Sequence, residues 1–173
     1  SSGITMSSGT VNGVGISSGI TNFTDSILIS QNASTGTLDS ASNNTGLGDS
    51  VFAALTSGDA NTAIGKDAMN ATTTGSNNVG IGTGALDTNT TGNLNTAVGR
   101  SAMFANTTGS NNVAVGFGAL DANTTADNNT ALGYNALTAN TTGTDLVAVG
   151  MSALTDNTTG NGNVAVGRFV LGD

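Results

Sequence analysis

The residues that could do chemistry in this chain are few, and their types limit the reactions open to it. The 173-residue sequence has no His and no Cys, and all 11 of its acidic residues are Asp. A general acid–base pair or an activated nucleophile needs suitable groups held close together. The single tyrosine, Tyr134, and the single lysine, Lys66, are far apart in the sequence. We therefore predict a protein that is not an enzyme, with no catalytic residues and no cofactor.

Oxygen ligands for a metal ion are concentrated in one region. Asp127 and Asp145 lie near Asn128 and Asn129, and carboxylate and amide oxygens are the ligands that Ca²⁺ prefers. The same polar residues also suit solvated corners of the chain. The second interpretation is favoured, and we predict no metal site.

A column of aromatic, sulfur-containing and cationic side chains recurs at one constant spacing in the sequence. If the column faces outward, it is a candidate docking strip for a sugar or a protein. If it faces a partner chain, it is the core of an interface, which is the interpretation we favour. Its members are Arg100, Phe117, Tyr134, Met151 and Arg168.

A second column with the same spacing consists of Asn followed by Thr-Thr. Each member is an N-x-T sequon, so one edge of the protein could carry a glycan at successive repeats. Asn and Thr side chains also cap backbone groups in turns, and this alternative is favoured. The members are Asn89, Asn106, Asn123, Asn140 and Asn157.

The same spacing, a 17-residue repeat, organises the whole chain after residue 43. Seven consecutive blocks fill residues 44–162 without a gap, and an eighth begins at Asn163. The unit is N-[T/V]-A-[I/V/L]-G-x-x-A-[L/M]-x-x-N-T-T-G-x-N, and its fourth place is always aliphatic and its fifth always Gly. Helical-hairpin repeats need more than about 30 residues and leucine-rich repeats about 20 or more. The period therefore predicts an all-β fold, a parallel β-solenoid or β-roll with one coil per unit.

Individual places in the unit carry further predictions. The second and fourth places of the extended run should share a face, because alternate side chains of a strand point the same way. We expect the apolar core to come from the fourth and ninth places, such as Val98 and Met103. Glycines at the fifth and fifteenth places, such as Gly116 and Gly109, should allow positive φ at two corners. The eighth-place Ala suits either a close approach of chains or a cramped interior.

The chain divides into two regions. Residues 1–43 alternate Ile, Val and Met with Ser, Thr and Gly, which predicts an irregular β-rich leader with an imperfect first coil near residues 26–43. A linker is the alternative for this region. Residues 44–173 are predicted to form the tandem 17-residue solenoid repeats.

Charge and core size indicate which partners to expect. The net charge is −8, with only three cationic residues, which disfavours nucleic acid and anionic membranes as partners. No stretch approaches the length of a membrane span. Each coil has few large apolar side chains, so a single thin roll should be marginally stable. We therefore expect self-association, with a homotrimer as the favoured state.

Short phrases of the repeat resemble known families. NNVGIG (77–82), NNVAVG (111–116) and GNVAVG (162–167) resemble the strand repeats of trimeric autotransporter adhesin heads. The blocks such as NTAVGRSAMFANTTGSNN, which follow ITNFTDSILIS, are more similar to the repeat shafts of bacteriophage tail fibres that end in an intramolecular chaperone. The resemblance covers about residues 22–173. It implies a rigid trimeric extracellular fibre.

The function expected from these features is a structural shaft segment of a viral tail fibre or adhesin that presents a receptor-binding tip. A host receptor or glycan would then be bound through another part of the fibre, and the protein would be located in the virion tail fibre. One alternative is a bacterial cell-surface or secreted extracellular filament. A less favoured alternative is an ice-binding solenoid, because adjacent Thr residues such as Thr107 and Thr108 point to opposite sides of a strand.

Overall fold

The computed structural model describes residues 9–11, 14–17, 23–24, 27–30 and 39–172, and these residues form an all-β fold. The first five strands are β1 (Gly9–Val11), β2 (Val14–Ser17), β3 (Phe23–Thr24), β4 (Ile27–Ser30) and β5 (Ala41–Ser42). The next four are β6 (Thr45–Leu47), β7 (Thr62–Ile64), β8 (Val79–Ile81) and β9 (Thr96–Val98). The last four are β10 (Val113–Val115), β11 (Thr130–Leu132), β12 (Val147–Val149) and β13 (Val164–Val166). This described part contains no helix that could cross a membrane.

One parallel sheet runs along the repeat region. Strands β6 to β13 lie in chain order, and each pairs in parallel with the equivalent strand of the next coil, as Val113 does with Thr130. The β4 strand joins the same sheet in parallel beside β6, and β2 and β1 continue it in antiparallel pairings. Strands β3 and β5 form a separate two-stranded parallel sheet. The predicted parallel β-solenoid with 17-residue coils is confirmed.

The leader approaches the solenoid register before the first full repeat. Ile27 of β4 pairs with Thr45 of β6, an offset of one residue more than in later coils. From Asp39 onward the spacing is that of the repeats, because the Asp39 N–H donates to the Thr56 carbonyl at 2.8 Å. Residues 27–30 and 39–43 of the predicted imperfect coil therefore take part in the solenoid. Its residues 26 and 31–38 lie outside the described part of the chain.

Side chains alternate along each three-residue strand, and the outer face carries the larger ones. In β10, Ala114 is fully buried while Val113 is 39% exposed and Val115 half-buried. The second and fourth places thus share a face as predicted, but the prediction that the fourth place forms the core is wrong. At Gly46 of β6 even a Cβ would lie 2.7 Å from Leu28 Cδ1, so the third place of that coil has no room for a large side chain.

The core instead combines the third, eighth and ninth places of each coil. Third-place Ala from the strand faces eighth-place Ala and ninth-place Leu, Met or Phe from the following corner. The eighth-place Ala column is therefore a cramped interior position, and it does not mark a close approach between chains. Its members, all fully buried, are Ala68, Ala85, Ala102, Ala119, Ala136 and Ala153.

The two predicted glycine corners differ. The fifth-place glycines have φ between 131° and 145°, a region that favours Gly, so this prediction is confirmed. The prediction of positive φ at the fifteenth place is wrong. There the glycine allows close backbone contact between coils, since a Cβ on Gly109 would lie 2.5 Å from the Ala126 carbonyl oxygen. Positive φ occurs instead at the seventh, ninth and seventeenth places, often in bulky residues such as Leu120 (φ 53°).

A column of buried asparagines at the first place joins successive coils. The Asn112 N–H donates to Asn95 Oδ1 at 3.0 Å, and Asn112 Oδ1 accepts from the Asn129 N–H at 2.9 Å. The Asn112 Nδ2 also donates to the Ala126 carbonyl at 2.9 Å, which closes the coil on itself. Buried polar groups are costly unless they are paired. This column satisfies its own amides while it fixes the spacing of the coils.

Candidate functional site

Exposed apolar side chains are concentrated on one face of the solenoid. We define the aliphatic face as the second- and fourth-place side chains of β6 to β13. Its fourth-place column contains only Leu, Ile and Val, from Leu47 (48% exposed) through Leu132 (46%) to Val166 (67%). The second place alternates irregularly between Thr and Val, and neither place carries a charged residue. Several of the exposed large apolar side chains in the described part of the chain lie on this face.

The column predicted as a docking strip or interface core lies at the sixth place and faces away from its own coil. Phe117, Tyr134 and Met151 are 43%, 53% and 36% exposed. The rings of Phe117 and Tyr134 are stacked with centroids 5.3 Å apart and an interplanar angle of 10°. The Arg100 guanidinium carbon lies 5.6 Å from the Phe117 ring centroid. Three of the five predicted members therefore form one continuous stack.

Arg168, at the other end of the predicted column, makes a different contact. Its guanidinium carbon lies 4.5 Å from the ring centroid of Phe169, the next residue in the chain. Cations prefer the electron-rich face of an aromatic ring, and the ring that Arg168 contacts is that of Phe169. The structure thus brings Arg100, Phe117 and Tyr134 together, whereas Arg168 packs against Phe169.

Neighbouring side chains cover the faces of the Phe117 ring in the sixth-place column. One face of Phe117 is covered by Tyr134 and the other lies under the Arg100 guanidinium. A sugar that stacks on an aromatic side chain needs a free ring face, whereas a protein partner can pack against ring edges. The faces of the Phe117 ring are thus covered by Arg100 and Tyr134, and whether the column is a docking strip or an interface core stays a prediction.

The sequon asparagines form a second internal ladder at the twelfth place. Asn106 Nδ2 donates to Asn89 Oδ1 at 2.7 Å and to the Gly109 carbonyl at 3.0 Å, and Asn123 Nδ2 repeats the pattern one coil later. Asn89, Asn106, Asn123 and Asn140 are fully buried, and Asn157 is half-buried. The side chains cap backbone carbonyls, as the favoured alternative predicts. Glycosylation of the four buried asparagines would have to precede folding, and it stays a prediction.

A ladder at the sixteenth place was missed from the sequence. There the side-chain oxygen of one coil accepts the N–H of the same place in the preceding coil, as Asp127 Oδ1 does from Ser110 at 2.6 Å. Asn93 Oδ1 accepts in the same way from the Ser76 N–H at 2.8 Å. The place looks variable because Asp, Ser, Asn and Thr alternate in it. The signal that could have found it is their shared property, a short side chain with an acceptor oxygen.

The residues considered as metal ligands are used within the fold. Asp127 belongs to the sixteenth-place ladder, and Asn128 Nδ2 donates to Asp145 Oδ1 at 3.3 Å. Asn129 is buried in the first-place ladder, where its Oδ1 accepts from the Leu146 N–H at 3.0 Å. Among the residues that the structure describes, no group of three or more His, Cys, Asp or Glu could hold a metal ion.

Burial and neighbouring charges shift the pKa of three side chains near the surface of the solenoid. Burial raises the pKa of Asp87, with a smaller contribution from Asp67 and an opposing one from Lys66. Burial also raises the pKa of Asp121, which occupies the same tenth place two coils later. Lys66 Nζ pairs with Asp67 Oδ2 at 2.6 Å, and this hydrogen bond raises the pKa of the exposed ammonium group. Asp87 and Asp121 are separated along the axis by two coils, about 10 Å, so they do not form a carboxylate pair.

The fold and these columns define the class of protein as a repeat protein of the parallel β-solenoid type. Comparisons with family models, with curated proteins and with solved structures find no match for this chain.

Proposed function

We propose that this chain is a structural shaft segment of a viral tail fibre or adhesin that presents a receptor-binding tip. The observation that supports the proposal most directly is the unbroken stacking of β6 to β13, in which every strand pairs with the next in the same register. Eight strands at about 4.8 Å each give a rod of about 40 Å for this stretch. A uniform rod whose length grows with the number of repeats is what a spacer needs.

Hydrogen bonds between successive coils on several sides of the solenoid support a stiff rod. On the strand side the Gly116 N–H donates to the Val98 carbonyl at 2.8 Å, and at the opposite corner the Thr107 N–H donates to the Thr124 carbonyl at 2.8 Å. The buried Asn112 and the sixteenth-place Asp127 add side-chain bonds between coils. Bending such a rod stretches hydrogen bonds on one side and compresses them on the other. Distributed bonding of this kind favours a rigid shaft over a flexible tether.

The proposal includes self-association as a homotrimer and a place in the virion tail fibre, with any host receptor or glycan bound by another part of the fibre. The aliphatic face supports self-association, because contiguous apolar surface of this kind marks interaction sites. A bacterial cell-surface or secreted filament is the second candidate, and it has the same physical properties. Ice binding is disfavoured further, since Thr107 Oγ1 donates to the Thr124 carbonyl at 3.0 Å and is not free to order water.

Localisation tests the proposed function. Antibodies raised against the folded chain would be used for gold labelling of virions and of surface filaments from the source of the sequence, with pre-immune serum as the control. We expect label along a fibre, between its base and its tip. Label on cell-surface filaments would select the second candidate. Label confined to the interior of cells would contradict both.

A further inference from the structure

The two adjacent threonines of each NTTG corner are used differently by the fold. The thirteenth-place hydroxyl links coils, as Thr107 Oγ1 does when it donates to the Thr124 carbonyl at 3.0 Å. The fourteenth-place Thr is exposed, and within the described part of the chain its hydroxyl makes no hydrogen bond to another protein group. We call these fourteenth-place residues the threonine column, which consists of Thr74, Thr91, Thr108, Thr125, Thr142 and Thr159.

The threonine column is uniform, whereas another exposed place varies. Thr fills the fourteenth place in six of the seven full coils and Ser57 fills it in the first, so every full coil has a hydroxyl there. The seventeenth place is exposed in all seven coils, yet it holds five residue types, namely Ala, Asn, Leu, Asp and Gly. Uniform hydroxyls at a place that the fold leaves free therefore indicate a role outside the fold.

Backbone geometry does not explain the uniformity of the threonine column. The fourteenth-place N–H donates to the next coil, as the Thr108 N–H does to the Thr124 carbonyl at 3.2 Å, but every residue except Pro has this donor. None of the fourteenth-place residues in the described coils has a positive φ. The backbone would accept many residue types at this place, so it does not select a hydroxyl.

The N-x-T sequon does not explain the uniformity either. The sequon ends at the fourteenth place wherever Asn fills the twelfth. The first two coils have Leu55 and Thr72 at the twelfth place, so no sequon ends at their fourteenth place, yet they keep a hydroxyl at Ser57 and Thr74. The fourteenth-place hydroxyl thus recurs independently of the twelfth-place asparagine.

We propose that the threonine column is a row of O-glycosylation sites and that each modified Thr carries a neutral sugar supplied by a nucleotide-activated donor. In the transfer, Thr Oγ1 attacks the anomeric carbon of the donor and forms a new C–O bond. The bond from that carbon to the diphosphate oxygen breaks, and the nucleoside diphosphate leaves with the electron pair. The hydroxyl proton passes to a base of the transferase. The inference holds for either owner of the fibre, because it depends only on the exposed hydroxyls.

The surroundings of the column favour a covalent sugar over one that is bound reversibly. Reversible small-molecule sites are concave, and aromatic and apolar side chains line them. In residues 44–173 no aromatic residue occupies the eleventh to seventeenth places, so single hydroxyls are the groups that this column offers. A covalent bond needs only an exposed nucleophile. A glycan is bulky and solubilising, and it therefore suits an exposed corner.

Charge favours a neutral sugar over phosphate at the same hydroxyls. Equivalent places in successive coils are about 4.8 Å apart, and each phosphothreonine would carry about −1.5 to −2 charges. Six of them would more than double the net charge of −8. A phosphate group is stabilised by nearby cations, but Lys66, Arg100 and Arg168 all occupy the sixth place of their coils. The column thus has no cation of its own.

Mass spectrometry of a peptide from the native chain, isolated from the source of the sequence, tests the proposal. Cleavage after Arg100 and Arg168 releases residues 101–168, which contain four members of the threonine column. We expect peptide masses that exceed the unmodified mass by whole monosaccharide residues. Alkaline β-elimination, which releases sugars from Thr but not from Asn, should remove the excess. Fragmentation should place sugars on Thr108 and not on Thr107.

Neighbouring substitutions supply a matched control. In the cells that make the native chain, Thr108→Val should lose one sugar site, Thr108→Ser should keep it, and Thr107→Val should leave the number of sugars unchanged. The same variants made by cell-free translation carry no sugar. There Thr108→Val should keep the urea midpoint, whereas Thr107→Val should lower it because it removes a bond between coils. If Thr107→Val does not fold, the two Thr108 variants decide.

Three results would overturn the proposal. The first is an unmodified peptide from the native source. The second is a set of sugars that resist β-elimination and are released by an amidase specific for N-linked glycans, because these would be attached to Asn. The third is an added mass that a phosphatase removes. An unmodified peptide with antibody label still found on fibres would refute this inference and leave the proposed function standing.

Discussion

Replacing Asn112 by Leu should destabilise the solenoid strongly, because it interrupts the first-place ladder in the middle of the chain. Asn112 is fully buried, and its side chain takes part in three hydrogen bonds: with the Asn129 N–H at 2.9 Å, the Ala126 carbonyl at 2.9 Å and Asn95 Oδ1 at 3.2 Å. Leucine fits this place sterically, because Leu146 occupies it naturally two coils later and is fully buried.

The expected magnitude follows from which partners are left unpaired. The Ala126 carbonyl still accepts from Asn123 Nδ2, and Asn95 Oδ1 still accepts from the residue-112 N–H, but the buried Asn129 N–H loses its acceptor. An orphaned buried donor costs about 1–3 kcal/mol and each lost bond about 0.5–1.5 kcal/mol. The apolar gain of a buried Leu, about 1.5–3 kcal/mol, offsets part of this loss. We expect a net loss of about 1–3 kcal/mol.

Urea denaturation followed by circular dichroism measures this loss at one fixed protein concentration, because self-association makes stability concentration-dependent. The reciprocal change, Leu146→Asn, is the control. It adds a link to the ladder and removes a buried Leu, so its stability should stay within about 1 kcal/mol of the native protein. If Asn112→Leu unfolds at the same urea concentration as the native protein, the first-place ladder does not stabilise the fold.

Three further substitutions test other parts of the structure by the same denaturation measurement. Gly116→Val should cost at least about 1–3 kcal/mol, because φ at Gly116 is 140° and a Cβ would meet the carbonyl of the next coil. Gly162→Asn, with φ 68° and open space around it, should be tolerated, and equal stability of the two variants would contradict this reasoning. Leu94→Asn should gain about 0.5–1 kcal/mol, since exposed Leu94 has φ 58° and Asn tolerates that conformation, while Leu94→Ala should not gain. Asp87→Asn should be more stable than the native protein at pH 7, because burial raises the pKa of Asp87 and so penalises its charged form. This advantage should shrink as acid protonates Asp87, and an advantage that stays constant from pH 7 to about 3 would refute burial of the charged carboxylate as its cause.

The fold class could be predicted from the sequence because a gapless 17-residue period leaves few structures that fit. The fifth-place glycines were also interpretable, since Gly at every repeat points to a conformation that other residues avoid. Which face of the strand lies inside could not be predicted. Alternation shows that Val113 and Val115 share a face, but Ala114 fills the interior because the coil is too narrow for more. Hydrophobicity alone would place the two valines inside the coil and the alanine outside.

The hydrogen-bonded columns were predictable only in part. The Asn of the twelfth place is one residue type repeated, and its capping of backbone groups was expected from the sequence, whereas no ladder was predicted for the first place. The sixteenth place is formed by different residues, such as Ser110 and Asp127, whose common acceptor oxygen is not visible as a repeated letter. The stacking of Phe117 on Tyr134 followed from the period, whereas the turn of Arg168 toward Phe169 depends on local rotamers that no spacing rule specifies.

Light scattering on the purified native chain tests the proposed self-associating shaft most directly, because it measures the mass of the particle in solution. One chain has a mass of 16.7 kDa. We expect a particle with three times that mass, stable on dilution, with circular dichroism typical of β-structure. A folded particle with the mass of one chain at every concentration would contradict the account.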